Sequence, residues 1–103
     1  MKIKVDEIAA KAKEILSSKY SSKVPQVEVA MDKGTFYDFV RIRLKNESIL
    51  SYKDMQKFQR CFAKSSAYSV NVSVARDWEE ESDYLLVYID ADGLNPKYVV
   101  DES

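Results

Sequence analysis

The chain has 103 residues, of which 46% are hydrophobic and 32% are charged, and its formal net charge at pH 7 is −1. This length predicts one domain with a single core, and the composition is that of an ordinary globular protein and not of a disordered or membrane chain. The small net charge gives the chain as a whole no attraction to nucleic acid or to acidic lipid. No window approaches the roughly 20 apolar residues that cross a bilayer, so we expect no membrane partner.

The first residues and the cysteine content bear on where the protein works. Charges at Asp6 and Glu7 stand where a secretory signal needs an apolar run. Cys61 is the single cysteine and has no partner for an internal disulfide, which fits a reducing compartment. We therefore expect a cytoplasmic protein.

The sequence begins with a predicted helix and a predicted hairpin. Apolar residues recur at helical spacing from Val5 to Leu16 and predict a helix over about residues 5–19. Alternation of apolar and polar residues then predicts a strand over about 27–31. Gly34 follows this strand and is expected to supply the positive φ of a tight turn.

The second strand is predicted over about residues 35–45 and has two different faces. Its apolar face carries Phe36, Val40, Ile42 and Leu44, and the opposite face carries Tyr37, Phe39, Arg41 and Arg43. The sequence therefore predicts one buried face and one outer face with aromatic and basic side chains.

The second half repeats this order. Ser51 is placed to cap a helix, and Asp54 three residues later completes a capping box, so we expect a helix from there to about Ser65. Alternating patterns predict strands over about 68–74 and 84–89, joined by an acidic segment.

Together these elements predict an α+β domain of two layers. Each helix–strand–strand unit would leave its apolar face exposed if it stood alone, so we expect one four-stranded antiparallel sheet with both helices on one face, an αββαββ pseudo-repeat. The alternative takes Ile3 to Val5 as an extra strand and gives a ferredoxin-like order. The helical spacing of Val5 favours the first architecture.

The missing residue types argue against most enzyme classes. The chain has no histidine, which removes the commonest general base and leaves Cys61 without an activating imidazole. Two glycines cannot build a phosphate-binding loop, and we expect no cofactor and no metal. A carboxylate-dependent enzyme, with Asp38, Asp90 and Asp92 as candidates, is the least favoured alternative.

Residues 35–42 resemble in part the ribonucleoprotein octapeptide of RNA-recognition domains. Tyr37 and Phe39 match its aromatic positions and Val40 its valine, whereas Asp38 replaces a small residue. The resemblance implies a nucleic-acid-binding alternative in which Tyr37, Phe39, Arg41 and Arg43 stack on bases and contact phosphates.

The same outer face suggests a protein contact. If helices cover one side of the sheet, the other side exposes an aromatic patch that a second copy or another protein would cover; its expected residues are Tyr37, Phe39, Tyr84, Leu86 and Tyr88. Alternatively, the C-terminal residues Tyr98 to Val100 fold back over this patch.

The charge distribution indicates a second candidate surface. Residues 1–50 hold 10 Lys+Arg and 7 Asp+Glu, whereas residues 51–103 hold 6 and 10. The excess acid is concentrated in the segment between the last two strands, which contains Asp77, Trp78, Glu79, Glu80, Glu81 and Asp83. A tryptophan among carboxylates at a hairpin tip is typical of an anchor for a basic partner. We therefore predict a small protein-binding module, and one role that fits this surface is inhibition of a nucleic-acid-processing protein.

Overall fold

The computed structural model describes residues 2–17, 26–45 and 50–100. Within them, helices and strands follow the predicted order: α1 Val5–Ser17, β1 Val27–Lys33, β2 Asp38–Lys45, α2 Tyr52–Phe62, β3 Asn71–Asp77 and β4 Ser82–Asp90. Two short 3₁₀ turns follow β4, at Ala91–Gly93 and Pro96–Tyr98. The last residues of the predicted first helix lie outside the described residues.

The four strands form one antiparallel sheet in the order β1-β2-β4-β3. The two hairpins therefore meet along β2 and β4, where Ile42 lies opposite Val87. Both helices pack on the same face, and the predicted α+β sandwich is confirmed. β1 and β3 are the two edge strands.

The core lies between the helices and the central strands. The apolar helix-facing side chains of β2 and β4 are fully buried, because alternation along a strand directs every second residue to the helix layer. They pack with residues that recur at helical spacing on α1 and α2. The cluster contains Val40, Ile42, Leu44, Leu85, Val87 and Ile89 from the sheet and Ile8, Ala12, Leu16, Phe58 and Phe62 from the helices.

α2 begins where the sequence predicts. Ser51 Oγ accepts a hydrogen bond from the Asp54 backbone N–H at 3.1 Å, which satisfies one of the donors left free at a helix start. The helix ends at Phe62, three residues before the predicted end. Ala63 is extended and pairs with Leu94, so tertiary pairing stops the helix there.

The start of the chain is helical from Val5, as its spacing predicts. Ile3, which the ferredoxin-like alternative assigned to a strand, forms one isolated antiparallel bridge with Val99. The C-terminal segment thus runs beside α1, and Tyr98 packs in the core at 5.3 Å from the Phe62 ring centroid. The expectation that Tyr98 to Val100 cover the outer face is wrong, because these residues lie on the helix side.

The first hairpin differs from its prediction. β2 begins at Asp38 and not at Thr35, because the Gly34 N–H donates to the Tyr37 carbonyl at 2.8 Å and closes a loop. Phe36 lies in that loop and is 86% exposed, although the strand pattern predicted that it would be buried. Gly34 has no positive φ; instead, a Cβ at this position would collide with the Tyr37 carbonyl and the Phe39 ring.

The side chain of Gln59 determines where β3 begins. Its Nε2 donates to the Tyr68 carbonyl, and its Oε1 accepts from the Val70 N–H at 2.9 Å. These backbone groups are therefore engaged by α2 instead of by β4, and the strand starts at Asn71, three residues after the predicted start. One amide thereby fixes the chain between α2 and β3.

We predict that Gln59→Ala lowers the free energy of unfolding by about 1–3 kcal/mol, because it leaves two part-buried backbone groups without partners. Chemical denaturation followed by circular dichroism measures the change. Gln56→Ala is the matched control: Gln56 is an exposed neighbour on α2, and its loss should change the free energy by less than about 0.5 kcal/mol. Equal effects of the two substitutions would contradict the role given to Gln59.

Candidate binding surfaces at the hairpin tip and on the outer sheet face

The outer face is the side of the sheet away from the helices, and each strand gives it a different chemistry. β1 contributes acidic side chains and β2 contributes basic ones. β4 contributes mainly aromatic and aliphatic side chains, and β3 contributes mainly small side chains. The residues on this face are Glu28, Ala30 and Asp32; Phe39, Arg41, Arg43 and Lys45; Tyr84, Leu86, Tyr88 and Asp90; and Asn71, Ser73, Ala75 and Asp77. None of the described residues covers it with a further layer.

The predicted aromatic patch is present only in part. Phe39 and Tyr88 make an edge-to-face contact with ring centroids 6.3 Å apart, and both are partly buried. Tyr37 was also expected here, but it lies in the first hairpin loop, before β2 begins. Tyr37 forms the closing pair of the loop with Gly34 and is 58% exposed, and its place on this face stays a prediction.

The bases of β2 already have acidic partners. Antiparallel pairing sets the acids of β1 beside the bases of β2, so opposite charges meet across the sheet. The pairs are Arg41–Asp32 at 3.2 Å, Lys45–Glu28 at 3.3 Å, Arg43–Glu28 at 3.9 Å and Arg43–Asp77 at 3.3 Å. A phosphate would have to compete with these carboxylates for Arg41 and Arg43.

Arg43 contacts residues from every other strand of the sheet. Its guanidinium reaches Glu28 on β1 and Asp77 on β3, and its Cζ lies 4.1 Å from the centroid of the Tyr84 ring on β4. Arginine suits this position because its planar group stacks on a ring while its N–H groups bind carboxylates. The outer face and the β3–β4 hairpin are joined through this side chain.

The acidic tip is the loop of residues 78–81 between Asp77 and Ser82, which are paired at the end of the hairpin. Asp77 Oδ1 accepts hydrogen bonds from the Glu79 N–H at 3.0 Å and the Glu80 N–H at 3.2 Å. The Glu80 N–H, aided by the Glu79 N–H and by Arg43, holds the pKa of Asp77 below its ordinary value. Asp77 therefore shapes the tip and is less available to a partner than the sequence suggests.

Trp78 is 79% exposed, so its ring is the largest accessible apolar group at the tip. The Arg76 guanidinium lies 5.4 Å from the ring centroid and also pairs with Asp83 at 3.3 Å. The six residues that were predicted to act together are the acidic tip and the two aspartates beside it, Asp77 and Asp83. The structure divides them: Asp77 and Asp83 make internal ion pairs, whereas Trp78 and Glu79 to Glu81 are exposed.

Glu81 has a φ of 51°, the left-handed region that non-glycine residues rarely adopt. It precedes Ser82, where the ladder of β4 begins. A glutamate in this conformation is held at a cost of roughly 1–2 kcal/mol relative to the right-handed conformation. The tip thus carries a third exposed carboxylate at a position where glycine would be favoured.

A cavity of about 430 Å³, which was not predicted, lies between α2 and the segment that enters β3. Its lining includes Tyr52, Met55, Gln59, Arg60, Ser69 and Val70. Tyr52 is 75% exposed although it lies in the first turn of the helix. An aromatic residue next to the apolar stripe of α2 was the one signal for this cavity in the sequence.

The acids proposed for catalysis do not gather into a site. Asp90 Oδ1 accepts the Asp92 N–H at 3.0 Å and caps a 3₁₀ turn. Among residues 2–17, 26–45 and 50–100, no group of three or more His, Cys, Asp or Glu side chains is placed to hold a metal ion. Neither described helix is long and apolar enough to cross a membrane.

Comparisons of the chain with protein-family models, with curated proteins and with solved structures found no match. The arguments for function therefore rest on the residues of this chain.

The depressed pKa of Asp77 predicts that the stability of the fold depends on pH. Because its folded-state pKa is depressed, it stabilises the fold fully above its unfolded-state pKa, and this contribution is lost as the pH falls from that value through the folded-state pKa. Asp77→Asn keeps an Oδ1 acceptor but removes the charge, so the variant should lose less stability than the wild type over this interval. Denaturant unfolding at a series of acidic pH values measures both. Identical losses would contradict the role of the Asp77 charge.

Glu81→Gly is expected to raise the free energy of unfolding by up to about 1 kcal/mol, because glycine adopts positive φ without a steric penalty. Glu80→Gly is the control: Glu80 has no positive φ, so there the added backbone entropy of the unfolded chain should lower stability. Thermal unfolding of the two variants checks the opposite signs. A loss of stability in Glu81→Gly would show that its left-handed conformation is not strained.

Proposed function

We propose that the chain is a small protein-binding module that presents its acidic tip to a partner with a basic surface. The observation that carries this proposal is the 79% exposure of Trp78 at the end of a hairpin. Large aromatic side chains left in solvent at a defined position are the residues that most often dominate protein–protein contacts.

The packing of Trp78 supports a role as an anchor. Its ring stacks with Arg76, and Asp83 in turn holds the Arg76 guanidinium. The loop that carries it is shaped by the two hydrogen bonds to Asp77 Oδ1. An anchor that is ordered before binding loses less conformational entropy when it enters a partner's pocket.

The carboxylates of the tip support a basic partner. Glu79, Glu80 and Glu81 are exposed, and no ion pair holds them among the described residues. Such a cluster attracts a basic surface over a distance near the Debye length and raises the association rate. A nucleic-acid-processing protein offers a surface of this kind, and the tip would then act as an inhibitor that competes with phosphates.

The outer face has a secondary part in this proposal. Phe39, Tyr84 and Tyr88 are only partly buried, and Arg43 connects Tyr84 to Asp77 at the base of the tip. A partner that covers the tip from this side would also contact these rings. Direct nucleic-acid binding is less favoured, because Arg41 and Arg43 are ion-paired with acids of the sheet.

Affinity capture from an extract of the source cells tests this function. The wild-type chain is expected to retain a basic protein, and Trp78→Ala should weaken binding of that purified protein by about tenfold or more. Replacing Glu79, Glu80 and Glu81 by glutamine should slow association and reduce its salt dependence.

Phe36→Ala is the matched control, because Phe36 is an exposed aromatic residue in the other hairpin loop. Its binding should equal that of the wild type. Retention of the same protein by Trp78→Ala at full affinity would rule out the tip as the binding site.

A further inference from the structure

The edge of β3 lacks the charged side chains that usually prevent an edge strand from pairing with a second chain. β3 is the last strand of the sheet, so one side of its backbone has no neighbouring strand among the described residues. No charged residue occurs from Ser65 to Ala75, whereas β1, the other edge, carries Glu28, Asp32 and Lys33. Charged side chains on an edge strand hinder pairing with a second chain, and β3 has them only at its end.

The helix side of β3 also leaves apolar groups in solvent. Val74 lies opposite the buried Leu85, so it faces the helix layer, yet it is 57% exposed. Arg76 lies on the same side by alternation, and Trp78 stacks with it. An uncovered apolar strip therefore runs along this edge towards the tip.

We propose that β3 pairs antiparallel with β3 of a second copy of the chain, about a two-fold axis near residues 72–74, to form a continuous eight-stranded sheet. This inference rests on the proposed function, because it takes the tip as a contact surface, and it names a second copy as the basic partner.

Charge favours self-pairing at β3 over self-pairing at β1. With the axis at Val74, the centre of β3, Arg76 and Asp77 of each copy lie opposite the uncharged Val72 and Asn71 of the other. The same arrangement about Ala30, the centre of β1, would set Glu28 opposite Asp32 of the other copy. Like charges directly opposite each other destabilise a strand pair.

The same symmetry brings the tip of each copy to the cavity beside α2 of the other. With the axis at Val74, antiparallel pairing puts Trp78 level with Val70 of its partner, just beyond the paired strands. Ser69 and Val70 line the cavity of about 430 Å³, on the helix side where Trp78 also lies. The cavity has room for an indole ring, and a two-fold axis makes this contact twice.

The helix beside the cavity supplies the complementary charge. α2 carries three bases at spacings that place them on one stripe, and the one acid in this helix, Asp54, is buried. The bases are Lys53, Lys57 and Arg60, and Arg60 lines the cavity. Glu79 to Glu81 of one copy would meet this stripe on the other.

Sedimentation equilibrium of the full chain, from about 5 to 500 µM, tests the pairing. The wild type should approach twice the mass of a single chain as its concentration rises. Val74→Lys should remain monomeric, because the two-fold axis brings the new ammonium groups near each other in the interface. Val5→Lys is the matched control, since Val5 is 40% exposed on α1, away from β3, and this variant should dimerise like the wild type.

A charge-reversal pair tests the contact between the tip and α2. One chain carries Glu79→Lys, Glu80→Lys and Glu81→Lys, and the other carries Lys53→Glu and Arg60→Glu; circular dichroism checks that both fold. Each chain alone should dimerise at least tenfold more weakly than the wild type. A mixture should form heterodimers at wild-type affinity, because both tip contacts then join opposite charges.

A wild type that stays monomeric at the highest concentration would overturn the inference, as would Val74→Lys chains that dimerise like the wild type or a mixture without heterodimers. None of these results determines whether the chain captures a foreign basic protein. A failure of the inference is therefore distinguishable from a failure of the proposed function. Conversely, a chain that dimerises as described but captures no basic protein would support the inference and contradict a foreign partner.

Discussion

The antiparallel pairing of β2 with β4 is the constraint on which the other features depend. It joins two hairpins that could not bury their apolar faces separately, and it sets Val40, Ile42 and Leu44 level with Ile89, Val87 and Leu85 beneath the helices. A shift of this register by one residue would turn the apolar side chains of one of the two strands outwards. The same pairing makes β1 and β3 the edges, and it places the bases of β2 between the acids of β1 and the aromatic side chains of β4.

The sequence was sufficient for the architecture, because strand and helix periodicities are local and the core depends on little else. It was insufficient where a distant group determines a boundary. The strand pattern placed Phe36 in the core, but the Gly34–Tyr37 hydrogen bond closes the loop before β2 starts. The start of β3 was predicted at Tyr68, whose carbonyl is taken by Gln59, nine residues earlier in the chain.

The candidate site, like the fold, could be predicted from the sequence only in part. Composition alone indicated the acidic tip and the tryptophan within it, whereas the exposure of Trp78 is a finding of the structure. Which carboxylates are engaged internally depends on residues far apart in sequence: Asp77 is paired with Arg43, 34 residues away. The cavity beside α2 also escaped prediction, since its two walls belong to segments whose relative position only the folded chain defines.

Arg43 has a consequence for how the sheet opens. Edge strands ordinarily exchange their amide hydrogens fastest, because they separate from the sheet without disturbing the centre. Here one guanidinium contacts Glu28 on one edge and Asp77 on the other, and it stacks on Tyr84 between them. Release of either edge therefore weakens a contact shared with the other. A single side chain of a central strand thus links the two edges of this sheet to each other and to the base of the tip.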